Sequence, residues 1–127
     1  MILGIGTDMV EIARIHAALE RHGARLIDRL LGPEERDRLP KNSQAAQTAW
    51  LAKRFATKEA VAKALGTGFR DGLRLSDIQT RHNGQGRPEV VLGGRARERF
   101  EQLGGRDISL SVSDERSYAL AFVVISR

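Results

Sequence analysis

Asp8 and Glu59 are the two carboxylates whose neighbours in sequence invite a chemical reading. Asp8 stands in MILGIGTDMVEI, where Gly4 and Gly6 follow an apolar run and precede a helical pattern, as in a dinucleotide-binding turn. That fingerprint needs a third glycine three residues after the second, and position 9 is Met9, so it fails. What is left is a carboxylate at a strand-to-helix junction. With Glu11 three residues on, Asp8 fits a capping box for a helix carried on by Ile12, Ile15 and Leu19. Capping a helix does not prevent the same group from holding a cation.

Glu59 lies in RFATKEAVAKALGTG, residues 54–68. On a helix, Phe55, Glu59 and Lys63 share one face, and Arg54 and Lys58 form a basic row beside it. Ala52, Ala56, Ala60 and Ala62 would let another backbone approach and set Glu59 in a crevice. The plainer alternative is an exposed Glu59–Lys63 pair, worth roughly a few tenths of a kcal/mol. Gly66-Thr67-Gly68 follows a helix C-terminus, where carbonyls and a negative dipole face outward, so it can serve a ligand by shape but not as a phosphate cradle. Gly66 fits a left-handed C-cap. If a metal takes part, two carboxylates with ligand phosphate suit Mg²⁺, which prefers oxygen and keeps several waters.

Other chemistries lack residues. Without cysteine there is no disulfide scaffold, thiolate site or thiol nucleophile. His16, His22 and His82 form no metal-ligand pair at metalloprotease spacing, and neither a Gly-x-Ser-x-Gly elbow nor a Walker lysine motif occurs. The formal charge of +5 points to an anionic partner. All four lysines lie between positions 41 and 63, which directs residues 53–63 toward phosphate. Arg14, Arg21 and Arg25 make one basic stripe if the first helix continues past Gly23; it is either a solvated face or a dock for an acidic partner.

These residues need elements to hold them. A short buried strand is expected at 2–6, a helix from about Asp8, an interruption at Gly23, and a second helical piece from Ala24 to about Leu31. A short helix follows from Pro33. The longest helix should span about Gln44 to Leu65, alanine-rich and free of glycine and proline. Segments 74–81, 88–92, 107–113 and 117–125 read as strands, with a helix at about 94–103. Ala119 to Ile125 is apolar on both faces and should be a central strand. The expected fold is one α+β domain over residues 1–127, helices mainly in the N-terminal half and an antiparallel sheet mainly from the C-terminal half. No membrane span or signal peptide is expected, so a cytoplasmic protein is the default.

Taken together, GIGTDMVEIARI at 4–15, KRFATKEAVAKALGTG at 53–68, the Asn83…Gly86-x-Pro88 turn and SVSDERSYALA at 111–121 resemble the holo-[acyl-carrier-protein] synthase family of 4′-phosphopantetheinyl transferases. The resemblance covers nearly the whole chain. It implies that family's fold and transfer of 4′-phosphopantetheine from coenzyme A to a serine of apo acyl carrier protein, serving fatty acid biosynthesis. A homotrimer with active sites between subunits is also implied. Asp8 and Glu59 become Mg²⁺ ligands, and the two glycines become a turn that aims Asp8 at the cation. Glu59 is then the candidate for the serine proton and Lys63 the holder of leaving-group charge. Coenzyme A contacts fall to Arg54, Lys58, Lys63, Gly66, Thr67, Gly68, Asn83 and Pro88, and carrier docking to Arg14, Arg21 and Arg25. The third motif often ends in histidine in this family; here that position is Asp114, which removes a histidine contact and leaves Asp114 and Arg116 in its place. The rival expectation is a small basic nucleic-acid-binding domain without catalysis. One Trp, one Tyr and four Phe offer little for base stacking.

Overall fold

A computed structural model describes all 127 residues, Met1–Arg127. Strand β1 (Ile2–Glu11) is followed by helices α1 (Ile12–His22), α2 (Ala24–Leu30), the single turn α3 (Pro33–Arg36) and the long α4 (Gln44–Ala64). A 3₁₀ turn at Leu75–Asp77 leads into β2 (Ile78–His82) and β3 (Pro88–Leu92), and α5 (Gly94–Gln102), β4 (Asp107–Asp114) and β5 (Tyr118–Ser126) complete the chain. The α+β expectation holds. The strands form two antiparallel sheets rather than one, with orders β1-β5-β4 and β2-β3.

The long helix starts where its sequence directs. The Ser43 hydroxyl accepts a hydrogen bond from the Ala46 N–H at 3.0 Å, which satisfies one of the free donors of the first turn. At the far end Gly66 takes φ +81, and the Gly68 N–H donates to the Ala62 carbonyl at 3.2 Å, closing the helix with a left-handed residue. Between these ends Leu51, Ala52, Ala56, Ala60, Val61 and Ala62 are buried, because α4 lies across both β1 and β5.

On β5 the side chains alternate. Ala119, Ala121, Val123 and Ile125 are fully buried toward α4, and each such Val or Ile contributes about 1.5–3 kcal/mol. Leu120 and Phe122 stand on the opposite face, 44% and 46% exposed. The expected central position is correct.

The first strand departs from expectation in length and in what its glycines do. It runs through Glu11, with Asp8 paired opposite Ala121 and Glu11 opposite Tyr118. Asp8 therefore caps nothing. Helix α1 starts at Ile12 after Glu11, which makes no side-chain cap, and the Ile12 N–H instead donates to the Ser117 carbonyl at 2.8 Å. Pairing with the apolar β5 satisfies more backbone than an early helix start would. Nor do the glycines turn the chain. A Cβ on Gly4 would sit 2.0 Å from the Ala64 carbonyl oxygen, and one on Gly6 would sit 1.9 Å from that of Ala60. Two missing side chains on the strand and a row of alanines on the helix bring the two backbones together.

Candidate active site

That close approach places three of the expected residues side by side. Lys63, one turn beyond Glu59 on α4, donates from Nζ to the Thr7 carbonyl at 2.9 Å and to Asp8 Oδ1 at 3.3 Å. The Asp8 side chain is 18% exposed and that of Lys63 53%, so the pair stands at the rim and not in the core. Burial pushes the Glu59 carboxyl above its ordinary range, the Asp8 charge pushes the same way, and Lys63 opposes both. A half-buried carboxylate beside a second one is an arrangement that a cation relieves. No third His, Asp or Glu joins them into a metal cage. The donor set fits Mg²⁺, which binds through one or two carboxylates together with substrate phosphate oxygens.

Glu59 also faces an open cleft of about 590 Å³, walled by Phe69, Leu73 and Leu75 and by two cations, Arg29 and Arg74. Arg29 belongs as well to a smaller cleft on α2 with Arg25 and His22, and His22 to a third on α1 with Arg14 and Arg21. Gly23, at φ +53, does break the helix between Arg21 and Arg25. The arginines nevertheless form a bent track of adjoining clefts that ends at Glu59. Arg29 follows Arg25 by one helical turn, a spacing that could have found it; Arg74 carries no such signal.

On the other side of α4, Arg54 and Lys58 part company. Arg54 lies over the Trp50 ring, 4.0 Å from its centroid, and its Nη2 donates to the Thr80 carbonyl at 3.4 Å. Its Nε lies 3.3 Å from Glu35 Oε2 without hydrogen-bond alignment and has no partner. Burial lowers its pKa and Glu35 opposes that, but a guanidinium stays charged. Arg54 lines a cleft of about 610 Å³ with Arg38, Arg81 and His82.

Lys58 does not fit the phosphate contact expected of it. Its Nζ donates to Glu35 Oε1 at 2.7 Å, to the Leu75 carbonyl at 3.0 Å and to the Ile78 carbonyl. An ammonium has three donors, and all are spent inside the chain. Glu35 itself is wholly buried and also accepts from the Gly32 and Thr80 N–H groups at 3.2 and 3.1 Å. Burial lowers the Lys58 pKa against the pull of Glu35. Glu35 is a second residue that the sequence did not announce.

The remaining expected contacts sit on other elements. Gly66-Thr67-Gly68 closes α4, with the Thr67 hydroxyl donating to the Gly68 carbonyl at 3.0 Å. Asn83 Oδ1 accepts from the Gln85 and Arg87 N–H groups at 2.9 and 3.1 Å, building the β2–β3 turn that Pro88 leaves as the first residue of β3. Asp114, at the end of β4, lies 3.7 Å from Lys53 Nζ, and Arg116 is exposed in the turn before β5. None of these groups lines the Glu59 cleft.

The fold that makes this β1–α4 contact is matched by known proteins. The chain belongs to the 4′-phosphopantetheinyl transferase superfamily, whose family model matches residues 4–123, and within it to the holo-[acyl-carrier-protein] synthases. The holo-[acyl-carrier-protein] synthase of Alkalilimnicola ehrlichii is 50% identical over 125 residues, which is 98% of this chain and 97% of that one. The crystal structure of the Neisseria meningitidis holo-[acyl-carrier-protein] synthase superposes with a TM-score of 0.91 at 41% identity, covering 100% of both chains. The Helicobacter pylori synthase, solved in complex with coenzyme A, gives 0.80 at 31% identity over 96% of this chain and 99% of that one. The protein is an enzyme of the phosphopantetheinyl transferase class, which overturns the non-catalytic alternative.

Proposed function

We propose that this chain transfers the 4′-phosphopantetheine group of coenzyme A to a serine hydroxyl of an apo acyl carrier protein and releases adenosine 3′,5′-bisphosphate. The observation that carries this reading is the Asp8–Glu59–Lys63 cluster, whose Glu59 also lines the Arg29/Arg74 cleft. Asp8 and Glu59 would hold Mg²⁺ with pyrophosphate oxygens of coenzyme A. When bound, that cation neutralises charge on the phosphoryl group under attack. Glu59 is the group placed to take the proton of the attacking serine. Lys63, already anchored by Thr7, offers its ammonium to the charge that grows on the leaving bisphosphate. Little covalent help is needed, so most of the work is positioning.

The nucleotide end of coenzyme A is assigned to the cleft of Arg54, Trp50, Arg38 and Arg81, where cations and an indole suit phosphates and a base. Arg14, Arg21 and Arg25 are the docking face for the acidic carrier. The sheet surface turned away from α4 carries Ile5, Met9, Tyr118, Leu120 and Phe122, all exposed, an apolar patch of the kind that meets another subunit. We assign it to a homotrimer of single-domain subunits. Contacts from Asn83, Pro88, Gly66–Gly68, Asp114 and Arg116 would then be completed between neighbours. The setting is cytoplasmic fatty acid biosynthesis; no helix is long and apolar enough to cross a membrane.

The direct test incubates the protein with coenzyme A, Mg²⁺ and an apo carrier and weighs the carrier by mass spectrometry. A phosphopantetheine-sized gain that disappears without Mg²⁺ is expected. A carrier of unchanged mass would end the proposal.

A further inference from the structure

Arg74 lines the Glu59 cleft but has no chemical role in the reading above. It lies on the wall of the Glu59 cleft, exposed, and has no acidic partner. Asp28, an acid of the same lining, is already bound to Arg36 at 2.7 Å. Arg29, the other cation of this cleft, is likewise without an acid and connects the cleft to the arginine track along α2 and α1. An acidic partner that arrives along that track therefore ends its approach between Arg29 and Arg74.

The position of Arg74 is fixed with respect to Glu59. Leu73 is buried on one side of it, and its carbonyl accepts the Asp77 N–H at 3.1 Å to open the 3₁₀ turn. The same turn is pinned to α4 by Lys58, which donates to the Leu75 carbonyl at 3.0 Å and to that of Ile78. Lys58 is the residue before Glu59. The cation and the base are thus carried on one braced frame, and a group gripped by Arg74 is placed relative to the proton acceptor, not merely attracted to the surface.

We propose that Arg74 is a specificity-determining residue for the acceptor: it pairs with an acidic side chain of the carrier adjacent to the serine that is modified. The occupant follows from charge and place, since the cleft offers free cations and Glu59 marks where the serine hydroxyl must come. This assignment rests on the transferase reading.

The test is steady-state kinetics of Arg74→Glu, Arg74→Ala and Arg74→Lys, with carrier binding measured by calorimetry in the absence of coenzyme A. Charge reversal should raise the carrier KM and Kd about tenfold, which corresponds to about 1.4 kcal/mol. The coenzyme A KM should stay within about twofold, Arg74→Lys should recover most of the loss, and added salt should erase the difference. A lysine in place of the carrier's acidic residue beside its serine should restore Arg74→Glu. Unchanged carrier KM and Kd in an active Arg74→Glu enzyme overturns this inference and leaves the transferase reading standing. A raised coenzyme A KM in its place also overturns it, assigning Arg74 to the nucleotide. A wild-type enzyme that modifies no carrier overturns both.

Discussion

Asp8 and Glu59 repel each other across the β1–α4 contact, and Lys63 compensates only part of that charge. Asp8→Ala and Glu59→Ala should each lower transfer by at least about a hundredfold at saturating Mg²⁺ while circular dichroism reports an unchanged fold. Near-normal turnover by Asp8→Ala would leave its ion pair with Lys63 as its sole role. Lys58 makes the contrasting case, one residue from Glu59. Replacing it with methionine takes from a wholly buried carboxylate its one hydrogen-bonded cation and leaves only the unaligned Arg54 guanidinium, so Lys58→Met should cost about 3 kcal/mol in urea unfolding, with the coenzyme A KM of the folded enzyme little changed. A specific loss of coenzyme A affinity without loss of stability would reinstate Lys58 as a phosphate contact.

At the scale of elements, the site exists because a strand and a helix touch backbone to backbone. Gly6 leaves no room for even a methyl group, whose carbon would lie 1.9 Å from the Ala60 carbonyl oxygen. Gly6→Ala must push α4 away from β1. Destabilisation of about 3 kcal/mol is expected by thermal or denaturant melting, at the upper end of overpacking costs because the obstacle is backbone. Since the shift separates Glu59 from Asp8, activity should fall further than stability does. A variant as stable and active as wild type would show that the glycines are not what sets the spacing.

For the whole molecule, one sheet face is buried under α4 and the other is left apolar and open. The register sets Met9 opposite Leu120 and Thr7 opposite Phe122, so the exposed groups adjoin one another across β1 and β5. Light scattering of the wild type should give the mass of a trimer, and Phe122→Asp, pointing into that face, should yield smaller species with much reduced activity. An active monomer at micromolar concentration would remove the subunit interface and, with it, the sharing of ligand contacts between neighbours.

The helices of this protein were legible in its sequence because their signals are local. Ser43, the unbroken alanine-rich run and Gly66 bracket α4 without help from the rest of the chain, and Gly23 marks the break in the basic track. The motif residues Asp8, Glu59 and Lys63 could be singled out by type and spacing. What those residues do to one another could not. A capping box at Asp8 is a sound local signal, yet β5 supplied a partner strand and carried β1 on to Glu11. The glycines read as a turn, but only the packed structure shows them making room for a helix more than fifty positions away. Lys58 and Arg54 look alike as a basic row. Tertiary structure separates them, because Glu35, brought in by α3, and the Leu75 and Ile78 carbonyls together use up every donor of one, while the other lines a cleft. Periodicity and capping reach only a few residues along the chain; burial, pairing and the saturation of hydrogen-bond donors depend on groups distant in sequence, and those decided the site.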